Sequence, residues 1–593
     1  MSRRYLNKKS KPERSRGVVF TTGQADSAPN YSSGSSSVPV VKTTTGSRFL
    51  CFDFLFKNLL NILPLFLFFS YYPVISLGKG EAMNFELSLP LIWLVVFDTV
   101  AVVLMIKRRI LWKGLKGEWW LWVLFPVWLS VSVLWSLNFV RGLLTVGILW
   151  LIYIAGYGMW QLKGLLDAEF RRRWWKWFFG ATFLVCAWCV VQCMLDVAGV
   201  PRECTLLCPG CTYHMFGFPH PNGFAIEPQF MGNLLLAPAI IAAWIYLKKH
   251  NSKNLKLERS CGVVLTTGQA DSAPNYSSGS SSVPVVKTTT GSRFLGSKFL
   301  LLCFFIISMT LFLTFSRGAI YAFIVAMVFM SVICRPKRLT RDTLEGARPS
   351  LWSRVKRFRA LGTVWLIIIC AFVCALNLQG VMAQVSPTND TYTDGVAKVV
   401  NQLSLGVIDI RGDEVVEKPV ENSEDNRGGG TDENGTGESE KNGALEESNT
   451  REEAVFDGYV AESTDTRLRL TGAAVTVWKR DFKTAIFGVG LGGAGWALYA
   501  EGLSSAPKEI VQNEYASLLL ETGIVGIVLL ILTLVLVIKV MIRSSASGAL
   551  LALLVAYGVT LLFFSGLPNA LQIYLMPVVL MVIMRKKINV GLD

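Results

Sequence analysis

Charge is what this 593-residue chain has little of. Asp, Glu, Lys and Arg together make up 17%, against 52% hydrophobic residues. A soluble domain carries about a quarter charged residues, so a water-soluble globular protein is excluded. Several catalytic signatures are also missing. No Asp-x-Asp pair is present to hold a divalent metal on a nucleotide sugar. No Walker loop, H-E-x-x-H or nucleophile elbow occurs either, which speaks against ATP-driven transport and zinc proteolysis. No small-residue cleavage site follows the first apolar run, so that run is expected to stay as an anchor rather than leave as a signal peptide.

What is present is a series of apolar runs near 20 residues long, the length that crosses a bilayer. They predict an all-α polytopic membrane protein with about twelve transmembrane helices. The expected spans are 59–77, 88–106, 119–136, 143–160, 176–196, 230–247, 298–315, 319–334, 361–382, 514–538, 546–564 and 570–584. The net charge of +16 raises the question of a nucleic-acid partner, but its placement answers it. Lys and Arg gather in alternate loops: Lys107 to Lys116, Arg171 to Arg173, Lys248 to Lys253, Arg335 to Arg341, Lys539 with Arg543, and Arg585 to Lys587. That is the signature of membrane orientation, with both termini in the cytoplasm. No nucleic-acid partner is expected.

The same orientation divides the chain. Residues 1–58 form a basic cytoplasmic tail, 59–384 hold helices one to nine, and 514–593 hold helices ten to twelve. Between helices nine and ten lies one long extracytoplasmic loop, 385–513. Its first part, 385–460, is acidic and rich in Gly, Asn and Glu, and is expected to be disordered. Its second part, 461–513, is expected to be ordered. A 38-residue segment at 13–50 recurs at 258–295 with only Arg16/Cys261 and Phe20/Leu265 changed. Two copies cannot build a solenoid, and the Ser/Thr/Gly-rich composition predicts a flexible insert on the cytoplasmic side.

Cysteine usage follows the same division. Of twelve cysteines, Cys186, Cys189, Cys193, Cys303, Cys370 and Cys374 lie inside apolar runs and read as small buried hydrophobes. Cys204, Cys208 and Cys211 lie in an outer loop near His214 and His220. A disulfide suits that compartment, and C-x2-C is also a zinc half-site; the disulfide ranks above the metal, and neither is catalytic.

The candidate chemistry gathers on the outer side. Arg317, in TFSRGAIYAF, stands at the turn between helices seven and eight, where Gly318 permits a tight turn or close packing. It is either an interfacial arginine snorkelling to headgroups or a fixed cation for a diphosphate. Arg467 to Ala485 predicts an amphipathic helix with Leu470, Ala474, Val477, Trp478 and Phe482 on one face. It carries Arg467, Arg469 and Arg480; Arg141 in SVLWSLNFVRG adds another outer cation. GVGLGG at 488–493 has no βαβ unit around it, so it reads as a turn that re-aims the chain or approaches a ligand. Asn513 and Glu514 suit the start of helix ten as cap and dipole partner, with Gln512 before them. Glu521 is a carboxylate inside the span, a functional candidate by default. FGFPHPNGFAIEPQFMGN at 216–233 is an ordered Pro-rich loop or an acceptor-binding lip, with His220 or Glu227 as proton acceptor.

In order and topology these motifs resemble the bacterial O-antigen ligase and O-antigen polymerase family. The residues that carry the resemblance are LWSLNFVRG, FPHPNGF, the SRG turn, the long loop before helix ten, GVGLG and QNEYASLLLETGIVG. The resemblance covers most of 59–593 outside the insert and the acidic segment. It implies a membrane glycosyltransferase of GT-C-like architecture that needs neither metal nor cofactor. Such an enzyme takes a glycan from undecaprenyl diphosphate at the outer face of the bacterial inner membrane. It passes the glycan to lipid A-core, a growing glycan or a protein. By the resemblance, Arg317 and Arg467 hold the diphosphate. Gln512 stands where many ligases have a histidine that receives the acceptor proton. Glutamine cannot act as a base, so the role falls to Glu514, Glu227 or His220, or this member polymerises without one. A secondary transporter is the alternative from another class, but no matching repeat halves are visible.

Overall fold

A backbone in lipid has no water to bond, so an apolar run of this length must satisfy its amides within itself and becomes a helix. A computed structural model of the chain describes residues 46–70, 74–76, 86–111, 119–198, 212–214, 219–262, 297–333, 351–385, 391–404, 465–507, 509–544, 546–565 and 571–584. The chain divides into two units, 1–49 and 50–593. The membrane helices belong to the second, save for the first turn of α1. They begin with α1 (Gly46–Phe68), α2 (Leu89–Lys107), α3 (Trp119–Ser132), α4 (Phe139–Gln161), α5 (Ala168–Val197), α6 (Pro228–Gly262), α7 (Ser297–Leu313), α8 (Arg317–Ile333) and α9 (Leu351–Val385). The loop region adds α10 (Tyr392–Leu403), α11 (465–478), α12 (Phe482–Phe487) and α13 (Ala494–Ala500). Then come α14 (Glu514–Ile542), α15 (Ser547–Thr560) and α16 (Leu571–Ile583). Among the described residues, seven of these helices are long and apolar enough to cross a membrane, and five shorter apolar ones accompany them. The chain is an all-α polytopic membrane protein. Two small antiparallel ribbons, Val74–Ser76 with Glu86–Ser88 and Thr212–His214 with Pro219–Pro221, are the described strands.

Helix α6 is the buried centre. Leu234 to Ala243 are almost wholly enclosed, and α7, α8, α9 and α15 pack around it. Small residues let these backbones approach: a Cβ on Gly232 would lie 2.8 Å from Ala319 Cβ. A second group, α2, α3, α4, α14 and α16, packs alongside. The outward face of α14 leaves Ile524, Val528, Ile531 and Val535 exposed at helical spacing. In water such a stripe marks an interaction surface; on a membrane helix it meets lipid.

Charge sorts by helix end. Arg108, Arg171 to Arg173, Lys248, Lys539 and Arg543 lie at one end, where Lys57 pairs with Asp167 (3.0 Å) and Arg108 with Asp53 (2.5 Å). The opposite end carries the loops and α10 to α13.

Several boundaries differ from expectation. The first helix, expected at 59–77, runs Gly46–Phe68, because the aromatic stretch before residue 59 also helps bury the α1–α2 contact (Phe56 on Phe97, 5.3 Å). Arg171 to Arg173 belong to α5 itself. Helix α6 continues through residue 262, into the first residues of the second repeat copy. The stretch expected to be disordered from 385 contains α10, nucleated by a capping box in which Thr391 and Asp394 bond reciprocally. The amphipathic helix expected over 467–485 ends at 478. Asp481 then starts a separate α12 by accepting from Thr484 N at 2.8 Å. Leu470, Ala474 and Val477 are buried as expected, but Phe482, beyond the break, is 80% exposed. The rest of the repeat copies, Cys204, Cys208, Cys211, the acidic segment 405–464, and the basic stretches from Arg335 and Arg585 lie outside the described residues.

Candidate functional site

The loop-bearing end is built around a backbone crossing. The glycine-rich segment after α12 threads between the α3–α4 turn and the first turns of α14. Val489 N donates to Leu520 O and Gly490 N to Glu521 O, both at 2.9 Å. Ser136 Oγ donates to Leu491 O at 2.7 Å. A side chain has no room here: a Cβ on Gly490 (φ +91) would lie 2.3 Å from Ser136 Cα, and one on Gly488 (φ +74) 2.3 Å from the Glu521 carbonyl. The close approach is therefore to the protein's own backbone. Glu521, 8% exposed, anchors the crossing. Its Oε1 lies 3.4 Å from Ala494 N, the Gly492 N–H also bonds it, and Arg141 attracts it. Two residues on, Gly523 (φ +65) breaks the helical path of α14. Glu521 and Arg141 thus stand together as a support for the glycine segment.

Arg317 opens α8 two residues after Phe315, whose φ of +46 makes the turn. A bulky residue in that region costs about 1–2 kcal/mol, and the surroundings hold it there. The Phe315 ring lies 5.5 Å from that of His220, and the side chain packs with Val399 of α10. The turn thus rests on Phe315, and Gly318 serves close packing: a Cβ there would lie 3.2 Å from Phe563 Cβ and 3.5 Å from Gln229 Nε2. Gln229 Nε2 in turn donates to Phe563 O at 3.0 Å. Two residues before Gln229, Glu227 interacts with Arg467 of α11. Burial around Glu227 pushes its carboxyl above the ordinary carboxylate pKa, and Arg467 pulls it back.

Glu514 extends the path of contacts. Its N–H donates to Leu561 O (3.0 Å), and its Oε2 accepts from Ser565 Oγ (2.9 Å), two residues past Phe563. Asn513 caps α14, accepting from Tyr515 N and Ala516 N at 3.1 Å each. The starts of α6, α8 and α14, the end of α15, and α11 therefore bring Arg317, Arg467, Glu227, Glu514 and His220 to one neighbourhood. His220 itself is 3% exposed, under Phe315.

Two other candidates face solvent. Gln512 is exposed beside the cap. Arg480 pairs with Glu501 and with Asp481 (3.2 Å) on the surface. One residue escaped sequence reading: Lys398 of α10, 5% exposed, next to Val399 on the Arg317 turn. The T-x-x-D capping box at Thr391 was the available signal, masked by the acidic stretch that follows it. No cluster of His, Cys, Asp or Glu fit to hold a metal occurs among the described residues.

The chemistry such a neighbourhood offers is anion binding by guanidinium beside carboxylates that accept protons, at the membrane surface. Residues 302–531, from α7 into α14, match the family model described as O-Antigen ligase. None of the curated proteins matches the chain. The matched stretch contains Arg317, Arg467, the glycine crossing and Glu514, and its helices are those of a bacterial inner-membrane protein. The chain carries the O-antigen ligase domain over these residues, which supports the O-antigen ligase and polymerase family of membrane ligase- or glycosyltransferase-like enzymes.

Proposed function

We propose that the protein transfers a glycan from a polyprenyl-diphosphate carrier to an acceptor hydroxyl at the outer face of the inner membrane. Arg317 and Arg467 neutralise the diphosphate leaving group. Glu514 or Glu227 takes the acceptor proton, since Gln512 has no basic lone pair to offer. The reading puts the loop-bearing end outside and both termini inside, in keeping with the basic residues at the other end. The observation that carries it is the contact path joining the Arg317 turn through Gln229 and Phe563 to Glu514 and, through Glu227, to Arg467. A diphosphate leaves more easily when preorganised cations meet its developing charge, and losing one such group costs about 10²–10³ in rate.

Replacing Arg317 by Ala tests this. Long-chain surface glycan is expected to disappear while the protein still reaches the membrane; normal glycan length in that strain would rule the reading out. Deleting the gene separates ligase from polymerase: a lost polymerase leaves an acceptor with a single repeat unit, and a lost ligase leaves a bare acceptor with a loaded carrier.

A further inference from the structure

The short helix α12 has two unlike sides. Thr484 is buried, and beside it Ala485 O accepts from Trp478 Nε1 at 3.0 Å. Phe482, Lys483, Ile486 and Phe487 share an arc of about 140° on the other side, at 3.6 residues per turn. Phe482 is 80% exposed and Phe487 42%. Lys483 is exposed among them, as is Lys479 just before the break that separates α11 from α12. Arg480 between the lysines is met by Asp481 and Glu501. Lys479 and Lys483 make no ion pair among the described residues. The outward side of α12 is therefore aromatic and positive.

A single exposed aromatic needs no partner, but the neighbours of this side place it at a lipid boundary. The end of α12 touches α14 at its break: a Cβ on Gly523 would lie 2.2 Å from Ile486 O and 2.6 Å from Phe487 N. The lipid-facing stripe of α14 begins at the next residue, Ile524. The Phe487 ring also lies 6.1 Å from that of Trp128 on α3, which lies 5.8 Å from that of Trp135. Tryptophan rings gather where the headgroups of a bilayer meet its hydrocarbon. The outward side of α12 thus continues the lipid-facing stripe of α14, and its lysines complement the charge of a lipid phosphate. We propose that α12 is a membrane-surface anchor for anionic phospholipid in the leaflet at the loop-bearing end. Phe482 and Phe487 enter the boundary between headgroups and acyl chains, and Lys479 and Lys483 meet the phosphates. An aromatic side flanked by lysines lies in the plane of that boundary. The anchor stands whether or not the chain transfers a glycan.

Photo-crosslinking of the full chain in nanodiscs tests it. Benzoylphenylalanine is placed at Phe482 and, in a second variant, at Phe487, so that one aromatic replaces another. The nanodiscs hold equal amounts of phosphatidylglycerol and phosphatidylcholine, and adducts are read by mass spectrometry. Lipid adducts are expected at both positions, with phosphatidylglycerol favoured about fivefold for each lysine engaged. Lys479→Gln together with Lys483→Gln is expected to abolish that preference while the adducts remain, and added salt to weaken it. The same probe at exposed Ala506 is expected to capture no lipid. An unchanged melting temperature shows that each variant is folded. Absence of lipid adducts at both α12 positions, equal capture of the two lipids, or a preference that survives loss of both lysines overturns the proposal. Capture of a protein in place of lipid overturns it as well.

Discussion

Glycine and arginine behave in opposite ways at the residue scale. Gly490 is held by geometry: with φ +91 and Ser136 Cα 2.3 Å from where a Cβ would stand, neither the conformation nor the space admits a side chain. Gly490→Ala is expected to destabilise by about 2–5 kcal/mol, the sum of a left-handed penalty and a local overpacking term. A lower melting temperature in detergent, with loss of glycan transfer, would be the measurement. The arginines differ by their neighbours. Arg480 is met by Asp481 and Glu501 at the surface, where ion pairs contribute little. Arg480→Ala is expected to leave both melting temperature and glycan length unchanged, in contrast to Arg317→Ala; a shortened glycan would place Arg480 at the site after all. From sequence Arg317 stood out at its turn, while Arg480 was one of three cations on an amphipathic stretch. The structure adds the two carboxylates that meet Arg480.

Helix ends carry the information at the scale of the element. Thr391 and Asp394, Asp481, Asn513 and Asp167 each start a helix by accepting from backbone N–H groups. At α5 the Phe170 N–H (2.7 Å) and then Lys57 (3.0 Å) hold the Asp167 carboxyl below the usual carboxylate pKa. A depressed folded value means that the contribution is complete above the unfolded value of about 3.9 and fades as pH falls through the folded one. Asp167→Ala is expected to cost about 1 kcal/mol or less at pH 7, given its exposure. The gap from the unsubstituted protein should close below pH 4, and a gap that persists there would exclude the carboxylate as its source. Caps were readable in advance at Asn513, where a polar run meets an apolar one. At Thr391 the acidic composition downstream hid the signal. At Asp481 the apolar spacing of α11 runs on to Phe482 in the sequence although the helix has already ended.

At the scale of the whole molecule the two ends differ in kind. One gathers basic side chains at the ends of helices; the other holds the loops, the glycine crossing and the Arg317 neighbourhood. If that second end faces outward, a cysteine placed at exposed Ala506 should react with a membrane-impermeant maleimide in cells with a permeabilised outer membrane, over the background of the unsubstituted protein. Labelling only after the inner membrane is broken would invert the orientation.

Composition and run length alone determined that the chain is a polytopic helical membrane protein and which segments become its apolar helices, because a backbone in lipid has a single local way to satisfy itself. The same sequence marked the SRG turn, the cap at Asn513 and the glycine segment as special. It could not say what they meet. That the glycines press on Ser136 and Glu521, and that Gln229 and Phe563 connect the Arg317 turn to Glu514, depends on contacts across hundreds of residues. Those contacts follow from how helices pack, and no periodicity within one segment encodes them.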